Sequence, residues 1–227
     1  MNQPEIRIKP QAKCNSLFIT LIGFSSLLLA ALMSQYYWQS AKFFLMLMIG
    51  LSLAITVLGI LKMLEPETSF YISPEKLLFQ HRKGQWQLNW QNIRAIHPVT
   101  NTHGIVREEL NYIGLTLNSL EDLKDHISLR LANHLIHEQQ PLMVYCVSHE
   151  LIKPEQAIVN FEVYKCSDGE EIKGPLAGFL HQCQILKQAL GAHLFIANGT
   201  IDRPLNDFAV LLRDCKAASV SYQQEGV

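Results

Sequence analysis

Charge is what this sequence has least of. Only 17% of its 227 residues are Asp, Glu, Lys or Arg, against roughly a quarter in ordinary soluble proteins. The shortfall is uneven: residues 1–64 hold five basic and one acidic side chain, and residues 65–227 hold fourteen and nineteen. The net charge of −1 therefore joins a basic, apolar beginning to an acidic remainder. This excludes a strongly basic nucleic-acid binder, and an apolar content of 48% excludes a disordered chain. Glycine and proline are too few for a collagen-like chain, and no internal repeat is present. Cys14, Cys146, Cys166, Cys183 and Cys215 are odd in number and lack a framework spacing, so they read as free thiols. The G-x-x-x-x-G-K-[ST], G-x-G-x-x-G, G-x-S-x-G and H-E-x-x-H signatures are missing, and no catalytic residue or cofactor is assigned.

Uncharged runs stand out against this background. Leu17–Met33 and Phe43–Leu61 contain no ionisable charge over 17 and 19 positions, enough helix to cross a hydrocarbon layer of about 30 Å. Helices apolar all round are not the walls of a soluble core. Arg7, Lys9 and Lys13 also suit a signal peptide, but no small-x-small cleavage site follows, and a second run arrives within ten residues. The expectation is an uncleaved pair of transmembrane helices: a cytoplasmic segment 1–16, spans 17–33 and 43–63, and an outer turn 34–42. Arg7, Lys9 and Lys13 before the pair, and Lys62, Lys76, Arg82 and Lys83 after it, outweigh Lys42 between, which puts both termini in the cytoplasm. Tyr36, Tyr37 and Trp38 suit the aromatic belt. Small residues at Ser26, Ala30 and Ser34, and at Gly50 and Ala54, fit either a tight hairpin or a homo-oligomer face. Neither run holds an interior ionisable residue, which argues against transport.

The remainder reads as α+β. Phe70–Ile72 and Leu77–His81 are short strands around a Ser73-Pro74-Glu75 turn, and Arg82-Lys83-Gly84 is a hairpin loop. Gln85–Trp90 alternates with a period of two, which directs Trp86, Leu88 and Trp90 inward. A loop at Asn101, Thr102, His103 and Gly104 leads to a strand at Glu109–Asn118 with Ile113, Leu115 and Leu117 on one face. Leu120, Leu123, Ile127, Leu131 and Leu135 then make a helical stripe, with Ser128 capping a second turn inside it. Pro141 is expected to stop that helix, Leu142–Val147 to return to strand, and Ile158–Tyr164 to be another strand. Ser167-Asp168-Gly169-Glu170 is turn-forming. Pro175 opens and Gly191 closes the clearest helix. His193–Ala197 reads as a strand, and a last helix carries Leu205, Phe208, Ala209, Leu212 and Cys215 inward. The tail 219–227 is expected to fray.

Trp90-Gln91-Asn92-Ile93 with Ile96, and later Tyr112-Ile113-Gly114-Leu115 ahead of a helix, resemble the bacterial two-span membrane proteins that carry a pleckstrin-homology-like domain. Ser128–Asn133 and Ile201–Leu205 are similar to a Gram-negative inner-membrane family known as domain of unknown function 2982. The resemblance implies a bent antiparallel sheet closed by a helix over residues 66–140, with 141–218 as an α/β extension packed on it, in the bacterial inner membrane. It brings no catalytic residues.

Three candidate sites remain. Arg82 and Lys83 at the hairpin tip form a candidate contact for anionic lipid or for a membrane-proximal protein partner. His134 and His137, spaced i and i+3, share a helix face, with His126 about two turns earlier. A metal needs further ligands, so the histidines read as surface residues and no metal site is assigned. Cys146 and His149, on a regular strand, point to opposite faces. The leading expectation is a membrane-anchored, non-enzymatic binding or scaffolding module. A metal- or thiol-dependent enzyme or sensor and an anionic-lipid-binding module are its alternatives.

Overall fold

The computed structural model describes residues 5–10, 15–64, 68–101 and 108–225, and the chain forms two compact units, residues 10–67 and residues 1–9 with 68–227. Cys14, Thr102, His103 and Gly104 lie outside the described residues.

The first unit is the helix α1 (Ser16–Met63), long and apolar enough to cross a membrane. Ala41 alone leaves helical geometry, at φ −132° and ψ 31°. A straight helix separates Gly23 from Thr56 by about 50 Å, yet a Cβ on Gly23 would lie 2.6 Å from Thr56 N. The helix therefore folds back on itself at Ala41. Ser26 Oγ donates to Ser52 Oγ at 2.9 Å, and a Cβ on Gly59 would meet Thr20 N at 2.7 Å. The buried positions Ser16, Gly23 and Ala30 on one side, and Leu45, Ser52 and Gly59 on the other, recur every seven residues. Five of those six are small, which lets the backbones approach. This corrects the stripes at four-residue spacing. Ala30 is buried, but a Cβ on Gly50 would meet no other part of the chain within 4 Å and Ala54 is exposed. Ser34–Trp38, expected as a turn, are helical. Helix keeps their backbone groups internally bonded and confines the reversal to one residue.

The second unit is α+β. Its larger sheet has the order β1-β2-β3-β4, from β1 (Ile6–Ile8), β2 (Phe70–Ile72), β3 (Lys76–His81) and β4 (Gly84–Asn89), all antiparallel. Alternation puts Ile8, Phe70, Phe79, Trp86 and Leu88 in the core. Trp90 begins a 3-10 turn but is also buried, and its Nε1 donates to Ser73 O at 2.8 Å. The second sheet, β5 (Ile93–Asn101), β6 (Glu108–Leu117) and β9 (Leu194–Ala197), is antiparallel too. Gly114 lies where a Cβ would come 2.6 Å from Ala192 Cβ. One hydrophobic cluster joins both sheets to α2 (Leu129–Glu138), α4 (Pro175–Leu190) and α5 (Leu205–Glu225), with Phe208 5.4 Å from Phe70 between ring centroids.

Several expectations are corrected. The stripe from Leu120 to Leu135 is not one helix but a 3-10 turn at Glu121–Leu123 followed by α2. The edge of β4 takes the chain between them: Gln87 N–H donates to His126 O at 3.1 Å and Ser128 N–H to Gln85 O at 3.0 Å. Leu142–Val147 is helix α3 (Gln140–Ser148), because Pro141 sits in its first turn, where a missing N–H costs nothing. Ile158–Tyr164 is irregular up to the two-residue strand β7 (Tyr164–Lys165), which pairs with β8 (Glu171–Ile172) around Gly169 at φ +87°. The expected frayed tail is helical to Glu225, with Ser219 buried. Gly191 at φ +80° ends α4 as its position requires.

Candidate functional site

Strand register places the hairpin tip. Ser69 N–H donates to Ile8 O and Gln80 N–H to Ser69 O, both at 2.8 Å, so Ile8, Ser69 and Gln80 stand near one end of the sheet. Beyond that row the chain leaves β1 through Lys9 and returns into β2 through Thr68. β3 and β4 extend past the same row to His81 and Gly84, which pair across the two-residue turn Arg82-Lys83. Gly84 is held at φ +142°, and a Cβ there would overlap Ser128 Oγ. Only glycine admits this approach. The opposite end of the sheet carries the Ser73–Glu75 turn and the 3-10 turn at Trp90–Asn92.

The tip does not stand alone. Ser128, bonded to β4, precedes α2, so that helix starts beside Gly84, and the exposed Leu129 and Arg130 are its first two residues. The His81 and His134 rings stack at 4.8 Å, and His81 Nδ1 accepts the Lys83 N–H at 3.1 Å. His134 Nε2 lies 3.9 Å from Glu138 Oε2, and His137 is exposed. His126 is elsewhere, with Nδ1 2.8 Å from Asp122 O. Arg130 and Leu129 were hidden in the sequence because a continuous helix from Leu120 gives them no relation to Arg82. Ser128 as a helix start was the available signal.

Other features read as scaffold. Among the described residues no three or more His, Cys, Asp and Glu side chains converge as metal ligands. Cys146 and His149 are on and just after α3 rather than on a strand: Cys146 is buried, and His149 stacks on Tyr145 at 4.0 Å. Burial pushes the Cys146 thiol up to about 11 and that of Cys183 further, away from thiolate chemistry. Burial also raises the Cys166 and Cys215 thiols. Lys124 bridges Asp168 and Glu170, which raises its own pKa, and Ser167 N–H and Oγ both donate to Glu121 at 2.6 Å. These hydrogen bonds hold the Glu121 and Asp168 carboxyls below their ordinary range and tie the β7–β8 turn to the 3-10 turn after β6. An open cleft of about 290 Å³ is lined by Gln87, Leu88, Asn89, Asn92, Asp122 and His126. Another of about 390 Å³ is lined by Leu120, Gln184, Lys187, Gln188 and His193. His193 Nδ1 accepts the Leu117 N–H at 2.9 Å, and burial and then Lys187 lower its pKa to about 4.

No curated protein and no solved structure matches the chain. A family model described as protein of unknown function (DUF2982) matches residues 70–218, from β2 to the later turns of α5. That span takes in all three sheets apart from β1, and about two thirds of the sequence: the chain belongs to the DUF2982 family.

Proposed function

We propose that the protein is an inner-membrane protein whose residues 17–33 and 43–63 cross the bilayer as a pair and hold its folded domain on the cytoplasmic face, as a docking module for a membrane-proximal protein. One observation carries the reading: β1 and β2, which flank the apolar segment, are paired neighbours in a single sheet, Ile8 opposite Phe70. A segment that leaves and returns at one point must cross an even number of times. The reversal at Ala41 and the small residues along the contact support two crossings. Lys and Arg on the segments before and after the pair support the cytoplasmic side. Sheets of four and three antiparallel strands with a closing helix support the pleckstrin-homology-like reading. Thiols held protonated by burial favour binding over thiol chemistry. Reporter fusions at Tyr37 and after Val227 test the arrangement. A periplasmic signal at Tyr37 with a cytoplasmic signal at the carboxyl terminus is expected, and reporters on opposite pattern or on the same side would overturn it.

A further inference from the structure

The domain is acidic as a whole, with nineteen carboxylates against fourteen basic side chains beyond residue 64. Its basic residues are not spread evenly. At the end of the larger sheet where the chain leaves β1 and returns to β2 stand Lys9, Arg82 and Lys83, and α2, with Arg130 in its first turn, starts there from the Ser128–Gln85 bond. Lys9, Arg82 and Arg130 are exposed and Lys83 half-buried. Leu129, 62% exposed, lies in the same first turn of α2. The nearest carboxylate on α2 is Glu138, already beside His134. Glu75 lies at the far end, in the β2–β3 turn. An exposed apolar side chain and an arginine at the start of a helix beside three further cations, at the end from which a membrane-length segment departs, are the composition of a surface that rests on anionic headgroups.

The geometry points to a second membrane contact: Arg82, Lys83, Arg130 and Lys9 bind the anionic surface of the bilayer with Leu129 seated at the headgroup level, so that the domain is docked on the membrane and not merely tethered to it. This rests on the membrane anchor proposed above. Each Lys or Arg near such a surface multiplies the docked population about fivefold, so reversing three of them should lower it by about a hundredfold or more.

The test uses the full chain reconstituted in vesicles of phosphatidylcholine alone or mixed with phosphatidylglycerol. A fluorophore is attached at Leu129→Cys or, as the far-end control, at Glu75→Cys. The readout is quenching by headgroup-labelled lipid against quenching by aqueous iodide. Lipid quenching at position 129 in the anionic vesicles, several-fold weaker in the neutral ones and in R82E/K83E/R130E, with none at position 75, is the expected result. The wild-type comparison between the two vesicles needs no charge-reversal variant to fold. Equal lipid quenching at both positions, no dependence on anionic lipid, or protection of position 129 from iodide without lipid quenching overturns the proposal, the last by showing that protein covers the patch. Carbonate extraction of the same vesicles separates the two readings. Protein released by carbonate refutes the anchor, whereas retained protein with position 129 unquenched refutes only the docked surface.

Discussion

Lowering the pH from about 7.5 to about 5 should loosen the second sheet through one side chain. His193 is 5% exposed, and its Nδ1 accepts the Leu117 N–H at 2.9 Å, so a proton on that nitrogen would destroy the bond. Burial and then the nearby Lys187 bring its pKa from the ordinary 6.5 to about 4 in the folded chain. Between those values the unfolded chain binds the proton and the folded one does not. Stability from this group is therefore fully present above pH 6.5 and is lost as the pH falls toward 4. The loss at pH 5 comes to about 2 kcal/mol from linkage alone. Because the ring lines an open cleft, solvent screening reduces it to about 1 kcal/mol. Urea unfolding of the detergent-solubilised full chain, followed by tryptophan fluorescence, measures it. His193→Gln keeps an acceptor for Leu117 without a titrating group. Its stability relative to wild type should improve by about 1 kcal/mol between the two pH values. Identical pH dependence in the two proteins would refute the assignment.

Gly84→Ala should cost about 3 kcal/mol, because the new Cβ meets Ser128 Oγ in a conformation already strained for an L residue. Ser128→Gly in the same background should recover only part of the loss, as read by the urea midpoint. In the apolar unit, Ser26→Cys with Ser52→Cys should oxidise to an intramolecular disulfide in native membranes, since the two Oγ atoms are 2.9 Å apart. A pair at Gly50 and Ser26 should not, because Gly50 faces away from the contact, and non-reducing gels distinguish the two. Cys146 and Cys183 should resist iodoacetamide at neutral pH until urea is added, because burial keeps both thiols protonated. Mass spectrometry of the labelled peptides reads the difference, and rapid labelling of Cys146 in the folded chain would contradict its burial.

How much of this was legible in the sequence depended on whether the information was local. Alternation in Gln85–Trp90 fixed the inward face of β4, and Pro175 and Gly191 fixed α4, because each rests on backbone chemistry within a few residues. Failures came where a distant strand edge decided the outcome. Ile127 fits a helical stripe as well as it fits a bridge to Trp86, and only the open edge of β4 selects the bridge. Ile6–Ile8 is too short to announce a strand, yet Phe70 completes it sixty residues later. The same limit governs the candidate site. Arg82 and Lys83 are neighbours in sequence and were visible as a basic tip, whereas the helix that carries Arg130 can start at that tip only because Gly84 lacks a side chain where Ser128 must pass. A glycine read as a turn residue is thus also the condition for a charged surface. Replacing it should weaken both the fold and any binding at that end, whereas reversing Arg130, exposed on α2, should weaken the binding alone. Loss of both functions on Arg130→Glu would mean that the arginine is structural and that the surface is not built as described.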